Sequence, residues 1–146
     1  MNWIYRTLTS LCFFFTATCF ANSPYQFKGV HFLVSYSDCD REALTDVESL
    51  KQAMHSAVDQ CGATLLDSSS WVFPPSGLTM VFLLSESHAS IHTYPEKGAC
   101  FVDLFTCGDR CSYEKFDSVL RAYLKPKAVS QRTLIRDEGF QEKDAI

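Results

Sequence analysis

The stretch Leu84–Gly108, LSESHASIHTYPEKGACFVDLFTCG, decides how the chain is expected to fold. Residues 89–94 and 99–106 are rich in strand-forming side chains, and the second run alternates between two faces with a period of two. The turn formers Pro95–Gly98 separate the two runs, so the spacing predicts a β-hairpin with a four-residue loop. Hydroxyl, imidazole, thiol and carboxylate side chains all occur in the same stretch. We therefore expect it to carry the chemistry of the protein.

The sequence on either side of this hairpin predicts a mixed helix and strand fold. Four further strands are expected, at residues 30–36, 63–73, 78–84 and 127–135. Two amphipathic helices are also expected. The first would begin at a capping box formed by Thr45 and Glu48 and end at Cys61, and the second, at residues 113–124, would be capped by Ser112.

This order of elements favours an α+β fold, in which a mostly antiparallel sheet carries two helices on one face as a two-layer sandwich. The strands read as buried on both sides, yet two helices cover only one face. We therefore expect a dimer, in which a partner subunit covers the other face of the sheet.

The chain termini differ from the rest. Residues 1–21 combine one basic side chain, Arg6, with an uncharged apolar run and a small residue, Ala21, which is the layout of a secretory signal peptide. An N-terminal extension is the alternative, and the run is too short and too hydroxylic for a comfortable membrane span. We divide the chain into this leader, a linker at 22–29, one domain at 30–136 and a flexible tail at 137–146.

Composition limits the classes of function. The chain has 146 residues, 47% apolar, and a formal net charge of −4, which suits one globular domain and argues against nucleic-acid binding. Two of the seven cysteines lie in the leader, and the other five are Cys39, Cys61, Cys100, Cys107 and Cys111. Because five is odd, at least one thiol stays free even if two disulfides form. No CxxC pair is present, so we expect no metal site.

The Glu86–Ser87 bond follows a strand that reads as buried, and it could support self-cleavage. The Ser87 hydroxyl could attack the carbonyl carbon of Glu86, and elimination of the resulting ester would leave dehydroalanine, which hydrolyses to a pyruvoyl group. Such a ketone forms a Schiff base with an amine and acts as an electron sink. His92 lies five residues further on, and odd spacing on a strand puts two side chains on opposite faces. A meeting of Ser87 and His92 therefore requires a bend between them, and a straight strand would count against their pairing.

Residue patterns alone leave other interpretations open. A serine and a histidine five residues apart are commonly an unrelated surface pair, Phe73 is commonly a core residue, and Glu96 is commonly solvated. A serine hydrolase lacks its G-x-S-x-G motif here. A thiol hydrolase that uses Cys107 and His92 is a stronger rival. A non-catalytic exported protein with the same fold is also open.

Two blocks of sequence resemble a known family. ESHASIHTYPE at 86–96 and DLFTCG at 103–108 are similar, in sequence and spacing, to the prokaryotic S-adenosylmethionine decarboxylase proenzymes, which depend on a pyruvoyl group. HFLVSYSDCD at 31–40, CGAT at 61–64, FPPSG at 73–77 and LKPKAVS at 124–130 extend the likeness, so that it covers roughly residues 30–136.

The resemblance implies how the proenzyme would mature. The chain would cut itself between Glu86 and Ser87, and Ser87 would become the pyruvoyl group that forms the Schiff base. His92 matches the proton acceptor of processing, and Thr79 stands where the family usually has a serine that assists it.

The resemblance also implies how the mature enzyme would act. Cys107 matches the proton donor of catalysis, Phe73 the aromatic residue that stacks on adenine and faces the sulfonium, and Glu96 the acid that binds the ribose hydroxyls. It implies S-adenosylmethionine as substrate, spermidine biosynthesis as the use of the product, and a homodimer of αβ protomers.

Some positions depart from the family pattern. Ser35 stands where an acidic residue is usual, and Trp71 stands where histidine is frequent. Since these changes alter the polarity of the site, the same pyruvoyl chemistry on another amine, such as ornithine or arginine, is the alternative. The leader suggests export, whereas the family suggests the cytoplasm.

Overall fold

Six strands form one antiparallel sheet in the computed structural model, which describes residues 27–107 and 110–137. The strands are β1 (Lys28–Ser37), β2 (Leu65–Phe73), β3 (Gly77–Leu84), β4 (Ser87–Tyr94), β5 (Ala99–Thr106) and β6 (Ala128–Asp137). The helices are α1 (Arg41–Thr45), α2 (Val47–Cys61) and α3 (Tyr113–Leu124). The predicted leader, most of the predicted linker and nearly all of the predicted tail lie outside the described residues.

The predicted hairpin lies in the middle of the sheet. The strand order is β2-β3-β4-β5-β1-β6, and every neighbouring pair is antiparallel. β4 and β5 pair from Ser87 opposite Thr106 to Tyr94 opposite Ala99, around a single 3₁₀ turn at Pro95–Lys97. The first strand, β1, lies between β5 and β6, so early and late parts of the chain alternate across the sheet.

One face of the sheet packs against α2 and α3 and forms the hydrophobic core. Alternate strand residues point into it, as the period of two requires. The largest fully buried side chains are Phe32, Tyr36, Leu78, Met80, Phe82, Ile91 and Leu104 from the strands, with Leu44, Leu50, Met54, Phe116 and Leu120 from the helices. This packing confirms the predicted α+β two-layer sandwich.

The other face of the sheet carries exposed apolar side chains. Val81 and Leu83 of β3, which alternate with buried neighbours, are 44% and 53% exposed, and Phe101 of β5 is 51% exposed. Trp71 and Phe73 of β2 are exposed as well. We call this side the open face. It is the surface that the predicted dimer would cover, and dimerisation stays a prediction.

The predicted capping box is wrong. α2 begins at Val47, and its N-cap is Asp46, whose carboxylate accepts a hydrogen bond from the Ser49 N–H at 3.0 Å. The Thr45 hydroxyl instead donates to the Arg41 carbonyl at 3.0 Å, inside the short helix α1, which the pattern did not predict. By contrast, Ser112 caps α3 as predicted, because its hydroxyl accepts from the Lys115 N–H. Within the described residues, no helix has the length and apolar character needed to cross a membrane.

Candidate active site

The Glu86–Ser87 bond lies in the tight connection between β3 and β4. This connection is tied to the segment that enters β2: the Ser85 N–H donates to the Thr64 carbonyl at 2.9 Å, and the Thr64 N–H donates to the Glu86 carboxylate at 2.8 Å. Burial acts to raise the pKa of Glu86, but the backbone hydrogen bonds and the charge of Arg110 outweigh it and lower that pKa. The side chain before the bond is therefore an ionised, anchored carboxylate.

The carbonyl group of this bond has a hydrogen-bond donor in place. The Cys107 N–H, just beyond the end of β5, donates to the Glu86 carbonyl oxygen at 2.9 Å. Attack on a carbonyl carbon moves negative charge onto its oxygen, and a preorganised backbone N–H stabilises that charge. The backbone of Cys107 thus makes the Glu86 carbonyl more susceptible to a nucleophile.

Next to this bond, a serine side chain contacts a histidine ring, and an aspartate carboxylate lies near the far side of that ring. Ser87 Oγ lies 3.2 Å from His88 Nδ1, and His88 Nε2 lies 3.9 Å from Asp103 Oδ1. The Ser90 hydroxyl donates to Asp103 Oδ2 at 2.6 Å and holds the carboxylate. An imidazole in this position can take the hydroxyl proton of Ser87. We call Ser87, His88, Asp103 and Cys107 the cleavage cluster.

A second imidazole flanks the same carboxylate. His31 Nε2 lies 3.7 Å from Asp103 Oδ1 and is buried, with no hydrogen-bond partner within the described residues. Desolvation by burial lowers the pKa of His31. The negative charge of Asp103 acts to raise this pKa, whereas the charges of Arg136 and His88 lower it further. His31 is therefore a neutral ring at neutral pH, and it contributes bulk beside Phe105, with ring centroids 5.3 Å apart.

The sequence pattern did not predict roles for His88, Asp103 and His31. Adjacent strand residues normally face opposite sides, so nothing on a strand diagram pairs Ser87 with His88. The hairpin could have predicted part of this site. A four-residue loop at 95–98 puts Ser90 opposite Asp103, so these polar side chains lie together on the open face.

His92 lies at the other end of β4. Its Nδ1 is 3.0 Å from Thr79 Oγ1, directly across the β3–β4 pair. Phe73, Thr79, His92 and Glu96 line one cleft of about 480 Å³, which we call the Phe73 cleft. Four of the residues selected from the sequence therefore share one site.

The structure does not bring Ser87 and His92 together. β4 pairs residue for residue with β3, from Thr79 opposite His92 to Leu84 opposite Ser87, so the bend expected between the two side chains is absent. Five strand residues span about 16 Å. The histidine in contact with Ser87 is His88, and the role expected of His92 stays a prediction that this contact pattern does not support.

The Cys107 thiol is exposed and belongs to the Ser87 end of the hairpin. It lies in a cleft of about 340 Å³ with Gly29, Phe105 and Arg136, whose guanidinium carbon is 4.5 Å from the centre of the Phe105 ring. A Cβ at Gly29 would overlap the Phe105 ring and lie 3.4 Å from Cys107 Sγ. The open approach to the thiol therefore depends on glycine at position 29.

Three comparisons agree on the relatives of this chain. The family model described as S-adenosylmethionine decarboxylase matches residues 30–137. A relative from Thermosipho africanus is 45% identical over 101 residues, which cover 69% of this chain and 78% of the relative. One from Symbiobacterium thermophilum is 41% identical over 118 residues, covering 81% of this chain and 89% of the relative. Both are named S-adenosylmethionine decarboxylase proenzyme.

A solved structure has the same fold. The crystal structure of the adenosylmethionine decarboxylase from Aquifex aeolicus matches with a TM-score of 0.72 and 32% identity, covering 80% of this chain and 97% of that one. This structural match agrees with the family match over most of the domain and with the named relatives. The chain belongs to the S-adenosylmethionine decarboxylase family.

Proposed function

We propose that this chain is a proenzyme that cuts itself between Glu86 and Ser87 and then decarboxylates S-adenosylmethionine, whose product serves spermidine biosynthesis. The family and the names of its relatives support the reaction. The observation that carries the self-cleavage is the 2.9 Å hydrogen bond from the Cys107 N–H to the Glu86 carbonyl, beside a serine hydroxyl in contact with an imidazole.

The first step moves the Glu86 acyl group from nitrogen to oxygen. Ser87 Oγ attacks the Glu86 carbonyl carbon, the C–N bond breaks, and an ester and a free amine result. His88 takes the hydroxyl proton and returns it to the departing nitrogen, and the Cys107 N–H stabilises the charge on the carbonyl oxygen. This assigns the cleavage cluster to the first step.

The second step eliminates the ester. A base removes the α-proton of Ser87, the Cβ–O bond breaks, and Glu86 leaves as a free carboxylate. The dehydroalanine that remains gains water and loses ammonia, which leaves a ketone at residue 87. The resemblance assigns the base to His92, with Thr79 bound to its ring. His88 is the alternative base because it already contacts Ser87.

The residues around position 87 fit a pyruvoyl group, since the serine that would supply it directly follows the Glu86 carbonyl, which accepts the Cys107 N–H, and its hydroxyl contacts the His88 ring. When present, such a ketone would supply an electron sink for decarboxylation of a substrate that carries an amine. The Cys107 thiol is the proposed proton donor. Phe73 provides an aromatic face for adenine and for a sulfonium cation, and Glu96 provides a carboxylate for ribose hydroxyls.

The active protein is proposed to be a homodimer of αβ protomers. Its contact surface would be the open face, because exposed apolar side chains gather there on β2, β3 and β5. Burial of such a patch against a second copy removes apolar surface from water. The Phe73 cleft and the Asp103 side chain both lie on this side, so dimerisation would also enclose the site.

Two alternatives lose support. Cys107 and His92 do not form the pair that a thiol hydrolase needs, since they lie at opposite ends of the β4–β5 hairpin. The relatives described above are named for S-adenosylmethionine, and no comparison supports ornithine or arginine as substrate.

Intact mass under reducing conditions tests the proposal. We expect two chains, residues 1–86 and 87–146 apart from any leader removal, with the second lighter by one ammonia than a serine-terminated chain. Ser87→Ala should give a single chain, and carbon dioxide should be released from S-adenosylmethionine by the cut protein alone. A wild-type chain that stays uncut over days, or a Ser87→Ala chain that is cut, would overturn the assignment.

A further inference from the structure

We propose that two disulfides, Cys39–Cys100 and Cys61–Cys111, join the two chains produced by self-cleavage and leave Cys107 as the free thiol. The pairing rests on geometry alone. Only the statement that the bonds join separate chains rests on the proposed self-cleavage.

The Cys61 and Cys111 sulfurs already face each other. Their Sγ atoms are 3.0 Å apart, where a hydrogen bond joins the two thiols. The backbone around them is held as well, because the Ser112 N–H donates to the Cys61 carbonyl at 2.9 Å. Cys61 ends α2 and Cys111 directly precedes the cap of α3, so bond formation requires a small movement of two side chains.

Cys39 and Cys100 are the second pair, and both are buried in the same hydrophobic core. The Cys39 N–H donates to the Gly98 carbonyl at 2.9 Å, two residues before Cys100, and this bond fixes the loop after β1 against the start of β5. Cys100 is fully buried and Cys39 is 8% exposed. This pair is therefore expected to oxidise more slowly than Cys61–Cys111, in which Cys111 is half-buried.

The cleavage site divides both pairs. Cys39 and Cys61 precede Glu86, whereas Cys100 and Cys111 follow Ser87. Each pair therefore takes one thiol from each product chain. The two pairs use four thiols and leave Cys107, which is exposed and whose N–H donates to the Glu86 carbonyl. Because an odd number of cysteines follows the predicted leader, one thiol stays unpaired. In this pairing it is the thiol of Cys107, the proposed proton donor.

Oxidation requires an electron acceptor, and a disulfide-bearing oxidant such as oxidised glutathione can supply it. Each pair gives up two protons and two electrons; a mixed disulfide forms first, and the oxidant leaves as two thiols. The hydrogen bond from Cys111 lowers the pKa of Cys61 and raises that of Cys111, which favours Cys61 as the attacking thiolate. The predicted leader, if it directs export, would bring the chain to such an oxidant.

The test uses the full chain after incubation with oxidised glutathione. The sample is denatured so that the sheet no longer holds the chains together, free thiols are blocked with N-ethylmaleimide, and intact mass is measured without and with reductant. We expect one species containing both chains before reduction and two chains after it. Peptide mapping should show the linked pairs 39–100 and 61–111 and a blocked Cys107.

Serine variants separate the contributions of the two bonds. Cys61→Ser should remain linked through Cys39–Cys100, whereas Cys39→Ser with Cys61→Ser should separate completely without reductant. Cys107→Ser is the matched control and should stay linked. The proposal would be overturned if the chains separate in denaturant without reductant and Cys39, Cys61, Cys100, Cys107 and Cys111 are all blocked. A peptide map that links Cys107 would overturn it as well. A reduced sample that shows one uncut chain reports failure of self-cleavage instead, and the peptide map still reports the pairs.

Discussion

His88 and His92 project from one face of β4 but have different partners, Ser87 and Thr79. The two contacts assign the two histidines to different steps of the proposed self-cleavage. His88→Gln removes the base next to the hydroxyl and should slow cutting by about 10²-fold or more, the usual contribution of a general base. His92→Gln should instead accumulate the ester if His92 removes the α-proton. The time course of intact mass measures cutting, and hydroxylamine, which cleaves esters, reveals the intermediate. A His88→Gln chain that cuts at the wild-type rate would contradict the assignment of His88.

Cys107 is expected to act through its backbone in one reaction and through its thiol in the other. Because the N–H that contacts Glu86 survives any substitution except proline, Cys107→Ala should still cut itself. Turnover of S-adenosylmethionine should fall by about 10²–10⁴-fold, because the proton donor is lost. Mass and carbon dioxide release are measured on the same preparation. Loss of cutting together with turnover would show that the thiol itself takes part in processing.

The sequence predicted candidate site residues, but it did not predict which of their side chains lie in contact. Period-two parity correctly put Ser87 and His92 on opposite faces, but the bend inferred from it does not exist. The Ser87–His88 contact could not be predicted, since it depends on the direction of one side chain at the first residue of a strand.

Among the elements, the start of α2 gives a direct test of capping. Asp46→Ala should lower the melting temperature by about 3–6 °C, as expected for loss of an N-cap in a domain of this size. Thr45→Ala is the matched control and should have a smaller effect. Both are made in the Ser87→Ala background, so that one uncut chain unfolds. An equal loss from both substitutions would contradict the assigned cap.

The effect of Asp46 should also depend on pH. Hydrogen bonds from the Ser49 hydroxyl and backbone lower the pKa of Asp46 below its ordinary value of 3.8. A carboxylate with a depressed folded-state pKa stabilises the fold above its unfolded pKa and loses that effect as pH falls through the folded value. The difference in melting temperature between the wild-type residue and Asp46→Ala should therefore persist at pH 7 and shrink below about pH 4. A difference that is unchanged in acid would exclude the carboxylate as the cap.

Helix and strand positions were largely predictable, because each has a clear period and clear terminators. The start of α2 was not, because Thr45 and Asp46 are adjacent residues and both can cap a helix. Thr45 is unavailable as the cap because its hydroxyl bonds back into α1, a helix too short to give a periodic pattern.

For the whole molecule, the open face gives a test of assembly. Val81→Arg places a charge in the centre of the proposed dimer contact, where its desolvation is unfavourable. This variant should be a monomer, and light scattering measures its molar mass. Gln52→Arg on the exposed side of α2 is the control and should leave the mass unchanged. A wild-type chain that is already monomeric at micromolar concentration would contradict the proposed dimer.

Only part of the strand order could be predicted from the sequence. Hairpins join neighbours, so β2-β3-β4-β5 follows from short connections. The insertion of β1 between β5 and β6 joins segments distant in sequence, and only side-chain packing over the whole core selects it.

The position of β1 between β5 and β6 determines how the two chains produced by the proposed cleavage would refold. Residues before Ser87 supply β1, β2 and β3, and later residues supply β4, β5 and β6, so neither piece contains a contiguous half of the sheet. If the bond breaks as proposed, we expect the sheet to assemble first, because each piece supplies strands that are separated in the sheet. Afterwards, recovery from denaturation is a second-order process: without cross-links, its rate should rise with protein concentration, whereas the Ser87→Ala chain should refold at a rate independent of concentration. Under the proposed self-cleavage, the peptide bond between Glu86 and Ser87 thus joins the two sets of strands while the sheet assembles and is broken only afterwards.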